Sequence, residues 1–269
     1  MPPNRFRLGV AQMTSTDVAE TNLRCIENLF ARAVADRADL VVFPENSMYF
    51  RIRSGEAVRG LVWNGTEMET LQSLVDAHET KLMITTAFRE RDKLSNSTVL
   101  FSPRVSAEKL YSKIHLFDVD VEGAPSVRES DYFEGGRAPS IVEINGWKFG
   151  LSICYDLRFA ELYLNYSQKV DVLLIPSAFL VPTGEAHWQV LLRARAIESQ
   201  CFVAAPAQSG EHRSGDQVRR TYGHSLVVDP WGHVVNECLE SPQVHVVELD
   251  RDLITKARAQ IPMAGHRRL

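Results

Sequence analysis

Nowhere does this sequence hold an uninterrupted apolar run long enough to span a bilayer. The opening "MPPNRFRLGVAQM" turns polar before the apolar core of a signal peptide can form, so a cytosolic protein free of the membrane is expected. No CxxC pair occurs. The four cysteines, Cys25, Cys154, Cys201 and Cys238, are scattered, which argues against a zinc knuckle or a disulfide framework and predicts reduced thiols. The eight histidines are also dispersed, and "GEHRSGD" and "YGHS" lack the i, i+4 spacing of a helical metal site, so no metal is expected. Positive charge is not in excess. The 30 Lys and Arg against 34 Asp and Glu leave a net charge of -4, which offers no footprint for nucleic acid or an anionic membrane. No Ser-, Gly- or Pro-rich linker divides the chain, so residues 1–269 read as one domain.

With 45% hydrophobic residues the chain can bury a large core, and its periodicity says how. "RFRLGVAQM" alternates as a strand, and "TNLRCIENLFARAVADRADL" sets Leu23, Ile26, Phe30 and Ala33 on one helical face, with Cys25 beside it. "DLVVFPE" is a short buried strand closed by proline, and "TEMETLQSLVDAH" is a second helix. Three strand-like runs follow, "KLMITTAFRE", "STVLFS" and "AEKLYSKI", joined by "RDKLSN" and "PRVS" as turns. A polar loop from Val119 to Ser140 leads to a hairpin marked by Asn145-Gly146. The second half repeats the theme with "VDVLLIPSAF", a helix over "EAHWQVLLRARAIESQ", the strand "CFVAAPAQ", three more strands and a final helix, "RDLITKARAQ". Two mixed sheets packed face to face with helices outside, a four-layer αββα sandwich of the α/β class, are predicted. In the long helix Trp188, Leu191, Leu192, Arg195 and Ile197 exceed what one core face needs, which suggests a subunit contact and a homodimer.

Three strand ends carry reactive side chains: Glu45 in "VVFPEN", Lys113 in "LYSKIHLFD" and Cys154 in "GLSICYDLRFAEL". Each has an ordinary reading alone. Glu45 would be a solvated loop acid, Lys113 a surface charge and Cys154 a packed thiol. Brought together, a carboxylate, an amine and a thiol make a nucleophile with its base and its electrophile.

In these segments, and in "GVAQM", "PSAF" followed by "TGEAHW", "LLRARAIESQCFV" and "YGHSLVVDPWG", the chain resembles the nitrilase superfamily of carbon–nitrogen hydrolases. The likeness runs along nearly the whole chain and is strongest to the Nit subgroup of amidases. It implies Glu45 as general base, Lys113 as proton donor or oxyanion stabiliser and Cys154 as nucleophile. Glu129, in "SVRES", matches a second glutamate that fixes the lysine and the substrate amide. The segment "YFEGGR" departs from the short Pro-Gly turn of many relatives and implies a reshaped loop.

The chemistry fits these roles. A free thiol has a pKa near ~8.5, so a carboxylate is needed to take its proton as sulfur attacks. The oxyanion would be met by Lys113 and by the backbone N–H of Tyr155 at the start of the next helix. Arg158, one turn beyond the nucleophile, is the candidate for binding a substrate carboxylate, and the resemblance implies Phe179 and Thr183 as further pocket residues, with Tyr49 in "ENSMYF" a candidate behind them. The implied partner is a small carboxylate-bearing amide, deaminated glutathione ahead of 2-oxoglutaramate. No cofactor is implied.

Overall fold

The alternating opening segment forms β1 (Arg5–Gln12), with Phe6, Leu8 and Val10 buried in one cluster. Helix α1 (Ala19–Ala35) buries Ile26, Leu29, Phe30 and Ala33, while Leu23 and Cys25 are half-buried at the margin of that face. Then come β2 (Leu40–Val42), α2 (Thr66–Asp76), β3 (Lys81–Glu90), β4 (Lys93–Ser102) and β5 (Val105–Ser112). A short ladder joins β6 (Asp118–Val119) to β7 (Val127–Arg128). The second half holds β8 (Ser140–Ile144), β9 (Trp147–Leu151), α3 (Ala160–Tyr166), β10 (Val172–Leu174), α4 (Val181–Ser199) and β11 (Phe202–Ala205). It continues with the hairpin β12 (Ser209–Ser214) and β13 (Gln217–Tyr222), then β14 (Leu226–Val228), β15 (Val234–Glu237), β16 (Gln243–Asp250) and α5 (Arg251–Gln260). This computed structural model describes residues 3–53, 55–90, 92–120 and 126–268. Part of the polar loop expected between Val119 and Ser140, residues 121–125, lies outside them.

Two six-stranded mixed sheets result, ordered β16-β1-β2-β3-β4-β5 and β15-β14-β11-β10-β9-β8. Leu8, Val10, Leu40, Val42 and Met83 of the first share a core with Phe149, Leu151, Val172 and Leu174 of the second. On the far side of the first sheet, α1 and α2 pack over Val41, Leu82 and Ile84; on the far side of the second, α3 and α4 pack over Leu173 and Val203. The predicted αββα sandwich is therefore the fold, because the central strands β2, β10 and β11 bury side chains in both directions. Asn145 and Gly146 close β8 on β9 as a two-residue turn with φ of 50° and 75°, the left-handed pair that Asn-Gly favours.

Three local readings are corrected. Strand β4 begins at Lys93, so "LSN" is strand rather than turn; antiparallel pairing with β3 over its whole length overrides the turn propensity of Ser95 and Asn96. Helix α4 starts at Val181 rather than Glu185, with Pro182 in the first turn, where its missing N–H costs nothing. The β12–β13 hairpin was unread because its strands are charged and mostly exposed, with no apolar alternation to reveal them. In α4, Trp188, Leu192 and Arg195 are buried inside their own subunit, leaving Val190 and Ile197 exposed.

Gly184 of "TGEAHW" has a packing reason. A Cβ there would lie 2.2 Å from Tyr222 Cγ and 2.3 Å from Tyr222 Cβ, so α4 touches β13 only because the side chain is absent. Gly184→Ala should therefore destabilise the fold by about 2 kcal/mol, since overpacking of about 1–3 kcal/mol exceeds the helix propensity gained. Thermal unfolding by calorimetry checks this; an unchanged or raised Tm would refute it.

Candidate active site

Proline 44 ends the β2 run and turns Glu45 into the space beyond the strand ends, where the Glu45 carbonyl is held by Gln208 Nε2 at 2.9 Å. Lys113 follows β5 directly, its N–H donating to Asn96 O at 2.8 Å. Cys154 lies just past β9 and opens a turn of 3-10 helix, Cys154–Arg158. Its φ of 48° is left-handed, a strained conformation for a residue with a Cβ and one that clusters at functional sites. The Cys154 N–H donates to Pro176 O at 3.0 Å and so fixes the turn.

Beneath the turn, Asp156 is fully buried and accepts from Ile153 N at 2.9 Å, Tyr111 Oη at 2.7 Å and His115 N at 2.9 Å, with His115 Nδ1 at 2.7 Å. The far end is held by Arg195, whose guanidinium donates twice to Leu157 O, at 2.8 and 3.2 Å. Arg195 thus serves the nucleophile's turn, which explains a buried arginine on α4.

The strand ends bring the expected side chains together. Lys113 Nζ lies 3.0 Å from Glu45 Oε1 and 2.9 Å from Glu129 Oε1, and Lys113 is 1% exposed. Burial alone would depress the lysine's pKa, yet the charges of Glu129 and Glu45 hold it well above its ordinary value. Burial pushes the Glu129 carboxyl upward, against the pull of Lys113; its second oxygen accepts from Phe117 N at 2.8 Å. Glu45 and the backbone N–H of Ala178 flank the Cys154 sulfur. Burial, then the Glu45 charge, lifts its thiol well above the usual range, and Lys113 pulls the other way. The resting sulfur is a neutral thiol aimed at a carboxylate, which is how a base-assisted nucleophile is set up.

All four side chains line one cavity of ≈ 600 Å³, with Tyr49, Phe117 and Phe133 among its other walls. The loop after Glu129 is seated beside it: Gly136 N donates to Lys113 O at 2.8 Å, and a Cβ on Gly136 would fall 2.1 Å from Ser112 O. This gives the "EGGR" variation a geometric cause. Asn96 escaped the sequence reading. It donates to Glu45 Oε1 at 2.7 Å, but "RDKLSN" looks like a turn until β3 and β4 are paired. Ala178 was unreadable in principle, since its contribution is a backbone N–H.

The pocket residues divide. Tyr49 lines the cavity; Arg158, Phe179 and Thr183 are not among its walls. Arg158 Nη1 is 3.2 Å from His187 Nδ1, and its guanidinium lies 5.3 Å from the Phe179 ring and 5.9 Å from the Tyr155 ring. Phe179 packs on Trp188 at 4.8 Å, and Thr183 Oγ1 donates to Leu180 O at 3.1 Å. The Tyr155 ring meets Phe117 and Phe159 edge-on. Among the described residues no set of three His, Cys, Asp or Glu side chains is arranged to hold a metal ion.

A four-layer αββα sandwich with a glutamate, a lysine and a cysteine gathered at its strand ends is the frame of a nitrilase-type hydrolase. Comparison with known proteins agrees. The carbon–nitrogen hydrolase family model matches residues 7–259, and the chain belongs to that family. Similar proteins include the deaminated glutathione amidase of Dictyostelium discoideum, 35% identical over 98% of this chain and 94% of that protein. That of Mus musculus is 38% identical over 97% of this chain and 83% of its own length. Among solved structures, the C. elegans NitFhit protein superimposes with a TM-score of 0.88 at 34% identity, covering 100% of this chain and 66% of that one.

Proposed function

We propose that this protein is a thiol-dependent amidase, that Glu45, Lys113, Cys154 and Glu129 are its catalytic set, and that deaminated glutathione is its substrate. The observation that carries this reading is one cavity walled by Cys154, Glu45, Lys113 and Glu129, with the Lys113 ammonium 3.0 Å from Glu45 and 2.9 Å from Glu129. The names of its relatives in D. discoideum and M. musculus support the choice of substrate.

In the reaction, Glu45 takes the thiol proton as Cys154 Sγ attacks the amide carbonyl carbon. The oxygen becomes negative and is met by the Lys113 ammonium and the Tyr155 N–H. The C–N bond breaks, and the leaving amine takes the proton from Glu45. A thioester remains on Cys154. Glu45 then removes a proton from water, hydroxide attacks the thioester, and the acid departs as the proton returns to sulfur. For deaminated glutathione and water, the products are 2-oxoglutarate and Cys-Gly. Glu129 keeps the Lys113 ammonium pointed at the carbonyl.

The same proposal includes a homodimer in the cytosol. Val190 and Ile197 on α4, with Trp231 on the turn packed beside them, form an exposed apolar patch suited to a second copy, and no described helix is long and apolar enough to cross a membrane. The test is steady-state hydrolysis of deaminated glutathione and of 2-oxoglutaramate, followed by release of Cys-Gly or ammonia. A higher kcat/KM for the former is expected, with light scattering giving about twice the 30.3 kDa chain mass. Turnover of neither amide would overturn the amidase reading, and a single-chain mass would overturn the dimer.

A further inference from the structure

Five arginines line the cavity: Arg51, Arg128, Arg213, Arg219 and Arg220. Three are neutralised by carboxylates, Arg128 by Asp120 at 2.6 Å, and Arg213 and Arg220 by a shared Glu211. Arg51 and Arg219 meet no carboxylate among the described residues. Arg219 is half-buried, and among the described residues its guanidinium is bonded through Nε, to Ile52 O at 3.0 Å, leaving its outer nitrogens for another acceptor. Arg51 lies over the Tyr132 ring, 4.7 Å from its centroid.

Holding two guanidinium groups together in a half-buried wall is unfavourable without a counter-ion, and here their meeting is built in. Arg51 follows Phe50, and the Phe50 ring stacks on His212 of β12 at 3.8 Å, with ring planes 4° apart. His212 is buried and has both ring nitrogens engaged, Nδ1 with Ser15 O and Nε2 with Thr221 Oγ1, each at 2.7 Å. This stack ties the Arg51 loop to the hairpin that carries Arg219. The two charges feel one another: burial, then the Arg51 charge, pulls the Arg219 pKa below its ordinary value.

We infer that Arg51 and Arg219 form a carboxylate-binding subsite in the active-site wall, which holds an acid group of the substrate remote from the scissile amide. Forked guanidinium donors match a carboxylate. The glutamates that line the same cavity are already paired, Glu45 and Glu129 with Lys113 and Glu211 with Arg213 and Arg220, which leaves Arg51 and Arg219 for an incoming acid. Arg158, with Nη1 3.2 Å from His187 Nδ1, is not among the residues that line this cavity.

The inference rests on the amidase reading for its substrate, and deaminated glutathione carries an acid at each end. Three compounds separate them: the parent, its C-terminal glycinamide, and N-butanoyl-Cys-Gly, which lacks the acyl-end acid. Arg219→Gln and Arg51→Gln should each lower kcat/KM on the parent about 10–100-fold, mainly through KM, the usual worth of hydrogen bonds to a charged group. On the compound lacking the bound acid, the loss should shrink to less than about twofold. Equal losses on all three compounds, or no loss on any, would overturn the subsite. Arg51→Gln removes no side-chain hydrogen bond among the described residues and guards against misfolding of the Arg219 variant.

A readout independent of turnover is protection of Cys154 from iodoacetamide by glutarate. It should saturate in the wild type and weaken about tenfold or more in either variant. Protection without turnover would sink the amidase reading and leave the subsite standing. Turnover with unaltered protection in both variants would do the reverse.

Discussion

Lys113→Met should lower kcat/KM by at least about 10³-fold and destabilise the protein by about 3–5 kcal/mol, because it removes the cation from a buried site with two carboxylates. Methionine fills similar space without a charge. In the wild type the ammonium is 3.0 Å from Glu45 and 2.9 Å from Glu129, with the lysine 1% exposed, so the two acids share one buried cation. Without the cation, one carboxyl will hold a proton, and a protonated Glu45 cannot serve as base. Stability and activity should then separate in the double variant with Glu129→Gln. Removing one acid recovers much of the lost Tm, while turnover stays low because the oxyanion still lacks its ammonium.

The pH dependence has a definite sign. The folded pKa of Lys113 lies above the 10.5 of an ordinary lysine, so its stabilising contribution is complete below about pH 10.4 and is lost as pH rises through the folded value. That alkaline loss should be absent from Lys113→Met in calorimetric scans. Wild-type activity in the single variant would dispose of the assigned role.

What the sequence discloses and what it hides follow from the length scale of each cause. The sandwich was legible because "LVVFPE" and "VLLIPSA" are continuous apolar runs, which only strands buried on both faces require, and the helices between them carry a clear apolar stripe. Glu45, Lys113 and Cys154 were legible as a set because each terminates a strand and the resemblance places them in order. Asn96 and Arg195 were not. Their roles depend on which strand pairs with which and on which helix covers the Cys154 turn, and neither pairing is written in a local window. The Arg51–Arg219 wall was hidden for the same reason, since its hairpin has no apolar alternation and its partner loop lies more than a hundred residues earlier. Arg158 was read from its place in the local sequence. Its spacing from the nucleophile assumes a helical turn; the turn that begins at Cys154 is 3-10, and Arg158 Nη1 rests 3.2 Å from His187 Nδ1, a neighbour from another helix that no local window names.

Glu45→Gln should cut kcat by about 10²–10⁴-fold while making Cys154 easier to ionise, and this opposition separates a base from a merely structural acid. Glutamine retains the shape and can still accept from Asn96 and Lys113, so the fold should persist. It cannot take the thiol proton or activate water, so both halves of the reaction lose their proton acceptor. The Cys154 thiol, however, is held up first by burial and next by the negative charge of Glu45. Removing that charge while Lys113 remains lowers the thiol pKa, so at a fixed pH near 8 a larger fraction is thiolate. Alkylation by iodoacetamide should therefore speed up, and its pH profile should move to lower pH, in the same variant whose amide turnover collapses. Any residual turnover should leave an acyl adduct on Cys154 detectable by mass spectrometry, because deacylation also needs the missing base. If alkylation and turnover fell together, Glu45 would be acting by positioning the sulfur, and the general-base role would have to be abandoned.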